Sequence, residues 1–138
     1  MYVFDTSALS ELFGSYYRSR FPTLWKLFDD LVETDSITST REVSREIERY
    51  SRGDLEDWTK QNKKFFSTPT AAEAEFVRKI YEVKHFQQNI ELKKIQKGGL
   101  SADPFVIAKA AVNNGTVVTL ETEKPKAVRI PKSADTSE

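Results

Sequence analysis

The sequence contains no cysteine among its 138 residues and only one histidine, His85. The absence of cysteine excludes disulfide bonds, thiolate metal sites and a cysteine nucleophile, and it fits the reducing environment of the cytoplasm. His85 lies within a helical pattern at 83–87, where the ordinary interpretation is a half-exposed structural residue. Acid–base chemistry in this protein is therefore expected to rely mainly on carboxylates.

The sequence also has no excess of positive or negative charge, because 21 basic residues balance 21 acidic ones. Overall charge favours neither the presence nor the absence of a nucleic-acid partner, so any basic surface must be local. No apolar run approaches the roughly 20 residues of a membrane span, and an acid at position 5 is not typical of a signal peptide. The length suits one domain with one core.

Short apolar segments alternate with helical patterns along the chain. The patterns predict strands at 2–5, 35–39, 116–119 and 127–130, and helices at 7–14, 22–33, 42–50, 54–66, from 70 to Gly98-Gly99, and at 105–112. This alternation indicates an α/β domain, in which a small parallel sheet of about four strands is flanked by helices on both sides. We expect a single domain over residues 1–131 and a polar, disordered tail at 132–138.

Four acidic residues stand where the predicted strands end or the predicted helices begin. Asp5 ends the first strand, and Glu121 lies just beyond the strand at 116–119. Asp103 precedes an apolar helix, and Glu46 lies one turn into the helix after the second strand. In a parallel sheet these places can converge on one cleft beyond the carboxyl ends of the strands.

Carboxylates that converge repel each other unless one takes up a proton or a cation lies between them. Oxygen ligands suit Mg²⁺ or Mn²⁺, and such ions activate water and stabilise the charge that develops on a phosphate. The four acids therefore form a hypothetical magnesium or manganese site. The hydroxyls placed to orient its carboxylates belong to Thr6, Ser7 and Thr119.

Each acid also has a purely structural interpretation. Asp103 could simply cap the helix that it precedes, and Glu46 lies in a charge-rich helix whose outer face is expected in solvent. Glu121 could be a surface residue. Asp5 could cap the following helix, although the hydroxyl residues directly after it would suffice for that role.

Five segments of the chain carry a more specific pattern. They are Tyr2-Val3-Phe4-Asp5-Thr6-Ser7, Phe21-Pro22-Thr23-Leu24-Trp25, Val43-Ser44-Arg45-Glu46-Ile47, Ala102-Asp103-Pro104-Phe105-Val106-Ile107-Ala108 and Val117-Val118-Thr119-Leu120-Glu121. Their order and spacing, from residue 2 to about 131, resemble a PIN-domain ribonuclease of the VapC-toxin type. More narrowly, the chain looks like a PIN-like family catalogued as a domain of unknown function. Any one segment is weak evidence for this resemblance, but the ordered set of five is fairly specific for the family.

The resemblance implies a PIN-like fold and a metal-dependent endoribonuclease that hydrolyses RNA phosphodiesters with carboxylate-bound Mg²⁺ or Mn²⁺. It places the family's first three acids at Asp5, Glu46 and Asp103, and its variable fourth acid, often an aspartate, at Glu121. Many similar proteins are toxins that a cognate antitoxin holds inactive. The resemblance therefore also implies an antitoxin partner, a homodimer and a cytoplasmic location.

A ribonuclease must hold the RNA backbone with local positive charge. The candidate cations are Arg18, Arg20, Lys60, Lys63, Lys64, Lys93, Lys94, Lys97, Lys124 and Lys126, most of which have ordinary solubility as their simpler interpretation. The candidates for stacking on bases are Tyr16, Tyr17, Phe65 and Phe66, although core packing is the simpler interpretation for the phenylalanines.

A second function class stays open, namely a non-catalytic PIN-like module that binds RNA or a protein partner. Two departures from the family pattern favour it. Glu121 replaces the usual aspartate, and the chain is polar after residue 131, where the narrower family usually continues with a cysteine-containing stretch and a strand. Dependence on a metal ion distinguishes the two classes.

Two other enzyme classes are disfavoured by the sequence. An aspartic protease is disfavoured by the mostly helical pattern, and a haloacid-type phosphatase would need an aspartate where Ser7 stands.

Overall fold

The computed structural model describes residues 1–86 and 103–120, with side chains for 1–82 and 103–120. Its strands are β1 (Tyr2–Phe4), β2 (Ile37–Thr40), β3 (Phe66–Ser67) and β4 (Thr116–Val118). Its helices are α1 (Thr6–Ser15), α2 (Pro22–Glu33), α3 (Arg41–Tyr50), α4 (Asp54–Gln61), α5 (Ala71–Phe86) and α6 (Pro104–Val112), and a 3-10 turn at Lys63–Phe65 precedes β3. Within the described ranges, no helix combines the length and the apolar character that crossing a membrane requires.

The four described strands form a parallel sheet in the order β3-β2-β1-β4. In β1, Val3 pairs with Thr38 of β2 on one side and with Val117 of β4 on the other. The chain thus builds outward from β1 through β2 and β3, and then crosses over to place β4 on the opposite side. Sheets whose order reverses in this way bind ligands in the crevice beyond the carboxyl ends of the strands at the reversal. Here those strands are β1 and β4, and Asp5 directly follows β1.

Helices cover the sheet from both sides. Val3 and Phe4 are neighbours on β1, so their side chains point to opposite faces. The Phe4 ring lies edge-on to Phe28 of α2, with ring centroids 6.4 Å apart. Helix α6 packs against β1, β2 and β4, and its Val106 is fully buried. The α/β architecture expected from the sequence, a four-stranded parallel sheet flanked by helices, is confirmed.

Aromatic rings fix the helices at one end of the core. Phe13 of α1 contacts Trp25 of α2 at a centroid distance of 4.8 Å, and Trp58 of α4 contacts Phe65 at 5.0 Å. Phe28 bridges these pairs at 6.2 Å from Phe13 and 5.6 Å from Trp58. Burial of one such side chain contributes about 1.5–3 kcal/mol. The cluster therefore anchors α4 and the turn that leads into β3.

The sequence-predicted helix over 54–66 is wrong beyond Gln61. The side-chain amide of Asn62 donates to the carbonyl oxygen of Trp58 at 2.8 Å, and the chain leaves the helix there. Phe66 then pairs with Ser39 of β2 as part of strand β3. Phe65 and Phe66 are both only 5% exposed. The turn and strand bury these two adjacent rings, whereas a surface helix would turn one of them away from the core.

Two helix starts also differ from the sequence-based expectation. The segment Ser39-Thr40-Arg41-Glu42 has the sequence pattern of a capping box, which predicts Ser39 as the cap of α3 and Glu42 as its partner. Instead, the hydroxyl oxygen of Thr40 accepts from Val43 N at 3.3 Å, so Thr40 caps α3 and this capping box does not form. The Ser39 hydroxyl instead donates to the carbonyl oxygen of Phe4 at 2.5 Å, which ties β2 to β1. Helix α1 begins at Thr6 and continues through Gly14, the predicted stop, to Ser15.

The remaining predicted elements either match or fall beyond the described ranges. Helix α2 has the predicted bounds, and β1, β2 and β4 lie where strands were predicted. The predicted strand at 127–130, the end of the long helix at Gly98-Gly99 and the tail at 132–138 lie outside the described residues.

Candidate active site

Asp5 is held rigidly at the carboxyl end of β1. It is 5% exposed, and its Oδ1 accepts from Ala8 N at 3.0 Å and from Ser7 Oγ at 2.8 Å. Asp5 is therefore the N-cap of α1, a role that the sequence had suggested the following hydroxyl residues could fill. Both hydrogen bonds use Oδ1, so Oδ2 accepts no hydrogen bond from the described part of the chain.

The Ser7 hydroxyl joins the ends of β1 and β4. Its single proton goes to Asp5, so its oxygen is left to accept hydrogen bonds. It accepts from Leu120 N at 3.0 Å, and Thr119 Oγ1 lies 3.4 Å away on the same oxygen. Ser7 thus holds the residues that follow β4 beside Asp5, and the segment that continues toward Glu121 begins at this point. Glu121 itself lies outside the described residues.

Glu46 is exposed on α3 and faces α1. Its Oε1 accepts a hydrogen bond from the Thr6 hydroxyl. Thr6 is the first residue of α1 and directly follows Asp5. The hydroxyl named from the sequence as an orienting group therefore links the carboxylate of Glu46 to the end of β1.

Asp103 caps α6 and carries the clearest sign that the acids lie near one another. Its Oδ1 accepts from Phe105 N at 2.7 Å, which confirms the predicted capping role. Burial is the main reason that the pKa of Asp103 rises from 3.8 to about 6, and the negative charges of Glu42, Glu46 and Asp5 raise it further. The bond from Phe105 N acts in the opposite direction. Three acids from two other segments thus act on one half-buried carboxyl group.

Glu42 is the acid that the sequence interpretation missed. Its Oε2 pairs with Arg41 at 3.2 Å, whereas its Oε1 is buried without a hydrogen-bond partner. It had been assigned to the capping box, which would have turned its carboxylate back onto the helix end. Thr40 is the actual cap, and the negative charge of Glu42 acts on Asp103. The four-residue spacing from Glu46, which puts both on one helix face, was the available signal.

A cavity of about 500 Å³ opens beside these acids. Its lining consists of Glu42, Arg45, Glu46, Arg49, Tyr50, Asp103 and Pro104. Asp5 does not line this cavity, although its charge acts on Asp103. The structure thus brings Asp5, Glu46 and Asp103, three of the four predicted acids, into one electrostatic cluster and adds Glu42 to it. We call these four residues the carboxylate cluster.

The donor chemistry of the carboxylate cluster fits a hard cation. It supplies only carboxylate oxygens, which suit Mg²⁺ or Mn²⁺. A cation would offset both the burial of the charged form and the repulsion by the other acids, which together raise the pKa of Asp103. In the positions that the described side chains adopt, however, no three acids, histidines or cysteines are arranged to hold one ion. An ion held here would therefore need side-chain adjustment or a further ligand such as Glu121.

The RNA-contact candidates named from the sequence separate into several groups. Phe65 and Phe66 belong to the core, while Tyr16 and Tyr17 are exposed. Arg18 stacks on the Trp25 ring at 4.3 Å. The carboxylate partners of Arg18, Lys60 and Lys63 are Asp29, Glu56 and Glu48. The candidates that lie outside the described residues are Lys93, Lys94, Lys97, Lys124 and Lys126.

The fold and the site together define an α/β protein with a carboxylate cluster beyond the carboxyl ends of a parallel sheet. The chain belongs to the family described as "Domain of unknown function (DUF4411)", whose model matches residues 2–138. No curated protein and no solved structure matches it. The family description assigns no activity, so a functional assignment depends on the chemistry of the site.

Proposed function

We propose that this protein is a metal-dependent endoribonuclease of the PIN type. The observation that carries the proposal is the carboxylate cluster: Glu42, Glu46 and Asp103 line one cavity. Burial, and then the charges of Glu42, Glu46 and Asp5, raise the pKa of Asp103. Acids gathered against their mutual repulsion are characteristic of sites that do chemistry or hold cations. Their position, beyond the carboxyl ends of parallel strands where the strand order reverses, is the usual ligand crevice of such sheets.

The residues that would hold Mg²⁺ or Mn²⁺ are Asp5, Glu46, Asp103 and Glu121, with Glu42 as an additional acid. When bound, such an ion lowers the pKa of water and offsets the negative charge that develops on a phosphodiester. The hydroxyls of the chain hold the carboxylates in place, because Ser7 donates to Asp5 and Thr6 donates to Glu46. Fixed ligands of this kind avoid reorganisation during the reaction.

The biological setting that we propose follows from the resemblance to VapC-type toxins. On that basis, the protein is the toxin of a toxin–antitoxin pair, acts in the cytoplasm as a homodimer and is held inactive by a cognate antitoxin protein.

The test is cleavage of a mixed single-stranded RNA pool by purified protein, with Mn²⁺ or with a chelator, followed by mapping of the product ends. We expect cleavage with Mn²⁺ and none with the chelator. Asp5→Asn should abolish cleavage while the protein stays folded, because asparagine is an equally good N-cap. Asp57→Asn removes an exposed carboxylate of α4 that lies outside the cluster, and this variant should cleave normally. Full activity in the Asp5 variant would refute the assignment.

A second candidate, a non-catalytic PIN-like module that binds RNA or protein, is favoured by one observation. Within the described residues, no three potential ligands are arranged to hold one ion. Thermal unfolding with and without Mn²⁺ distinguishes the two functions. If the free Mn²⁺ concentration is 100 times the Kd of the site, binding would stabilise the fold by about 2.7 kcal/mol. If millimolar Mn²⁺ leaves the melting temperature unchanged and RNA is not cleaved, the binding module is the better assignment.

A further inference from the structure

One face of α3 carries a stripe of polar residues that borders the cavity. It consists of Glu42, Arg45, Glu46, Arg49 and Tyr50. Their spacing of three and one residues places them on a single face of the helix. Buried Val43 and Ile47 occupy the opposite side and anchor α3 to the core. The α3 stripe is therefore fixed in orientation by the packing of the helix that bears it.

Arg45 and Arg49 have no carboxylate partner in the described part of the chain. Both are exposed and line the cavity. The nearest acids on the same helix face are engaged elsewhere, since Glu42 pairs with Arg41 and Glu46 accepts from Thr6. The guanidinium groups of Arg45 and Arg49 thus keep their donors for a ligand.

We propose that Arg45 and Arg49 bind phosphates of a single-stranded RNA and that Tyr50 stacks on one of its bases. The RNA would then pass along the α3 stripe toward Asp103 and Glu46. The identity of the ligand as RNA rests on the proposed function, whereas the phosphate-binding surface rests on the arrangement of the stripe itself.

Electrostatics explains why cations are needed at this place. A cluster of carboxylates repels the polyanionic backbone of RNA, and the whole chain has a formal net charge of zero that offers no compensating field. Two guanidinium groups on the same helix face as Glu42 and Glu46 offset that repulsion locally. The planar fork of arginine also matches two phosphate oxygens at once.

Tyr50 supplies the aromatic part of the surface. It is 73% exposed, and the guanidinium carbon of Arg49 lies 6.0 Å from its ring centroid. An exposed ring beside a cation offers a stacking platform that accepts any base. Tyr50 ends the stripe, so a base stacked on it would adjoin the phosphates held by Arg49 and Arg45.

The test is binding of a fluorescein-labelled 20-nucleotide single-stranded RNA of mixed sequence, followed by fluorescence anisotropy in EDTA from 50 to 200 mM KCl. EDTA prevents metal-dependent cleavage. Each phosphate contact on a single strand contributes about −0.7 to the slope of log K against log salt. We expect Arg45→Gln and Arg49→Gln each to reduce the slope by about that amount, which weakens binding roughly eightfold at 50 mM and about threefold at 200 mM. Lys79→Gln removes an exposed cation that does not line the cavity and serves as the matched control.

Tyr50 is tested with two substitutions in the same assay. Tyr50→Ala should weaken binding on the order of tenfold without changing the salt slope, whereas Tyr50→Phe keeps the ring and should bind like the wild type. Thermal melts of all variants establish that they are folded. A double Arg45→Gln, Arg49→Gln variant with the slope and affinity of Lys79→Gln would overturn the proposal.

The outcome separates this inference from the proposed nuclease activity. One outcome is that the wild type fails to cleave RNA while the arginine variants still show a smaller salt dependence of RNA binding than the control. In that case the binding surface stands and the nuclease assignment fails. If the wild type cleaves RNA with Mn²⁺ and the arginine variants bind as the control does, only the binding surface is refuted.

Discussion

Replacement of Asp103 by asparagine should make the protein more stable, with most of the gain appearing above about pH 4. The pKa of Asp103 is raised by burial, by Glu42, Glu46 and Asp5 to about 6 in the folded protein, against 3.8 for the free group. Below about pH 3 the carboxyl group is protonated in both the folded and unfolded states, because both pKa values lie above that pH, so it contributes nothing. Between pH 4 and 6 the folded state binds more protons than the unfolded state, and stability therefore falls as the pH rises. Above pH 6 the ionised carboxylate of Asp103 lowers the free energy of unfolding by its full amount.

The size of the penalty follows from the pKa shift. One pKa unit corresponds to about 1.36 kcal/mol of differential interaction, so a rise from 3.8 to about 6 corresponds to about 3 kcal/mol at most. Asparagine removes the charge and keeps the acceptor for Phe105 N, so the N-cap of α6 is retained. For a domain of this size, 3 kcal/mol corresponds to about 10 °C in melting temperature.

The assay is urea unfolding of the wild type and of Asp103→Asn at pH values from 4 to 8, in EDTA. The difference in the free energy of unfolding should be about 0.5 kcal/mol at pH 4 and grow to a plateau of about 2–3 kcal/mol above pH 6. Glu33→Gln, which removes an exposed carboxylate from α2, is the control and should show no such step.

Two results would refute this reasoning. One is an Asp103→Asn protein that is no more stable than the wild type at pH 8, which would mean that the charge of Asp103 is not opposed by its surroundings. The other is a gain of equal size at pH 4 and pH 8, which would assign the effect to packing and not to ionisation.

Further predictions concern Ser7, Gly115 and His85. Ser7→Ala removes the hydroxyl that accepts from Leu120 N and should lower the free energy of unfolding by about 1–3 kcal/mol, measured in urea; an unchanged value would show that the hydrogen bonds of Ser7 do not contribute to stability. Gly115→Ala should destabilise by about 1–3 kcal/mol, because its Cβ would lie 2.8 Å from the carbonyl oxygen of Met1; a thermal melt like that of the wild type would contradict this contact. His85→Ala should retain metal-dependent RNA cleavage, and a folded but inactive variant would show that the catalytic group has been misassigned.

Local patterns in the sequence predicted most of the individual elements. Helix α2 has its predicted bounds because Pro22 suits the first turn and the apolar residues recur at helical spacing. The strand at Thr116–Val118 follows from its β-branched residues. Asp103 was predicted as a cap from its place before an apolar helix. In each case the deciding contacts lie within a few residues along the chain.

Other features depended on partners that are distant in sequence. Strand β3 has only two residues, Phe66–Ser67, too few for a periodic signal, and it exists because β2 pairs with it and the aromatic cluster holds the preceding turn. The Ser39 hydroxyl goes to Phe4 on β1, a long-range bond that leaves Thr40 to cap α3. The start of α3 was therefore decided by sheet assembly and not by the local capping pattern.

The candidate site divides in the same way. The sequence by itself determined that Asp5 and Asp103 stand at a strand end and a helix start, because those positions follow from local periodicity and capping. Only the tertiary structure decided that Glu42 joins them and that their charges raise the pKa of Asp103, since burial and Coulomb interaction depend on distances between segments far apart in sequence. The same holds for the exposed arginines of the α3 stripe, which become a candidate RNA surface only because packing of α3 turns them toward the cavity.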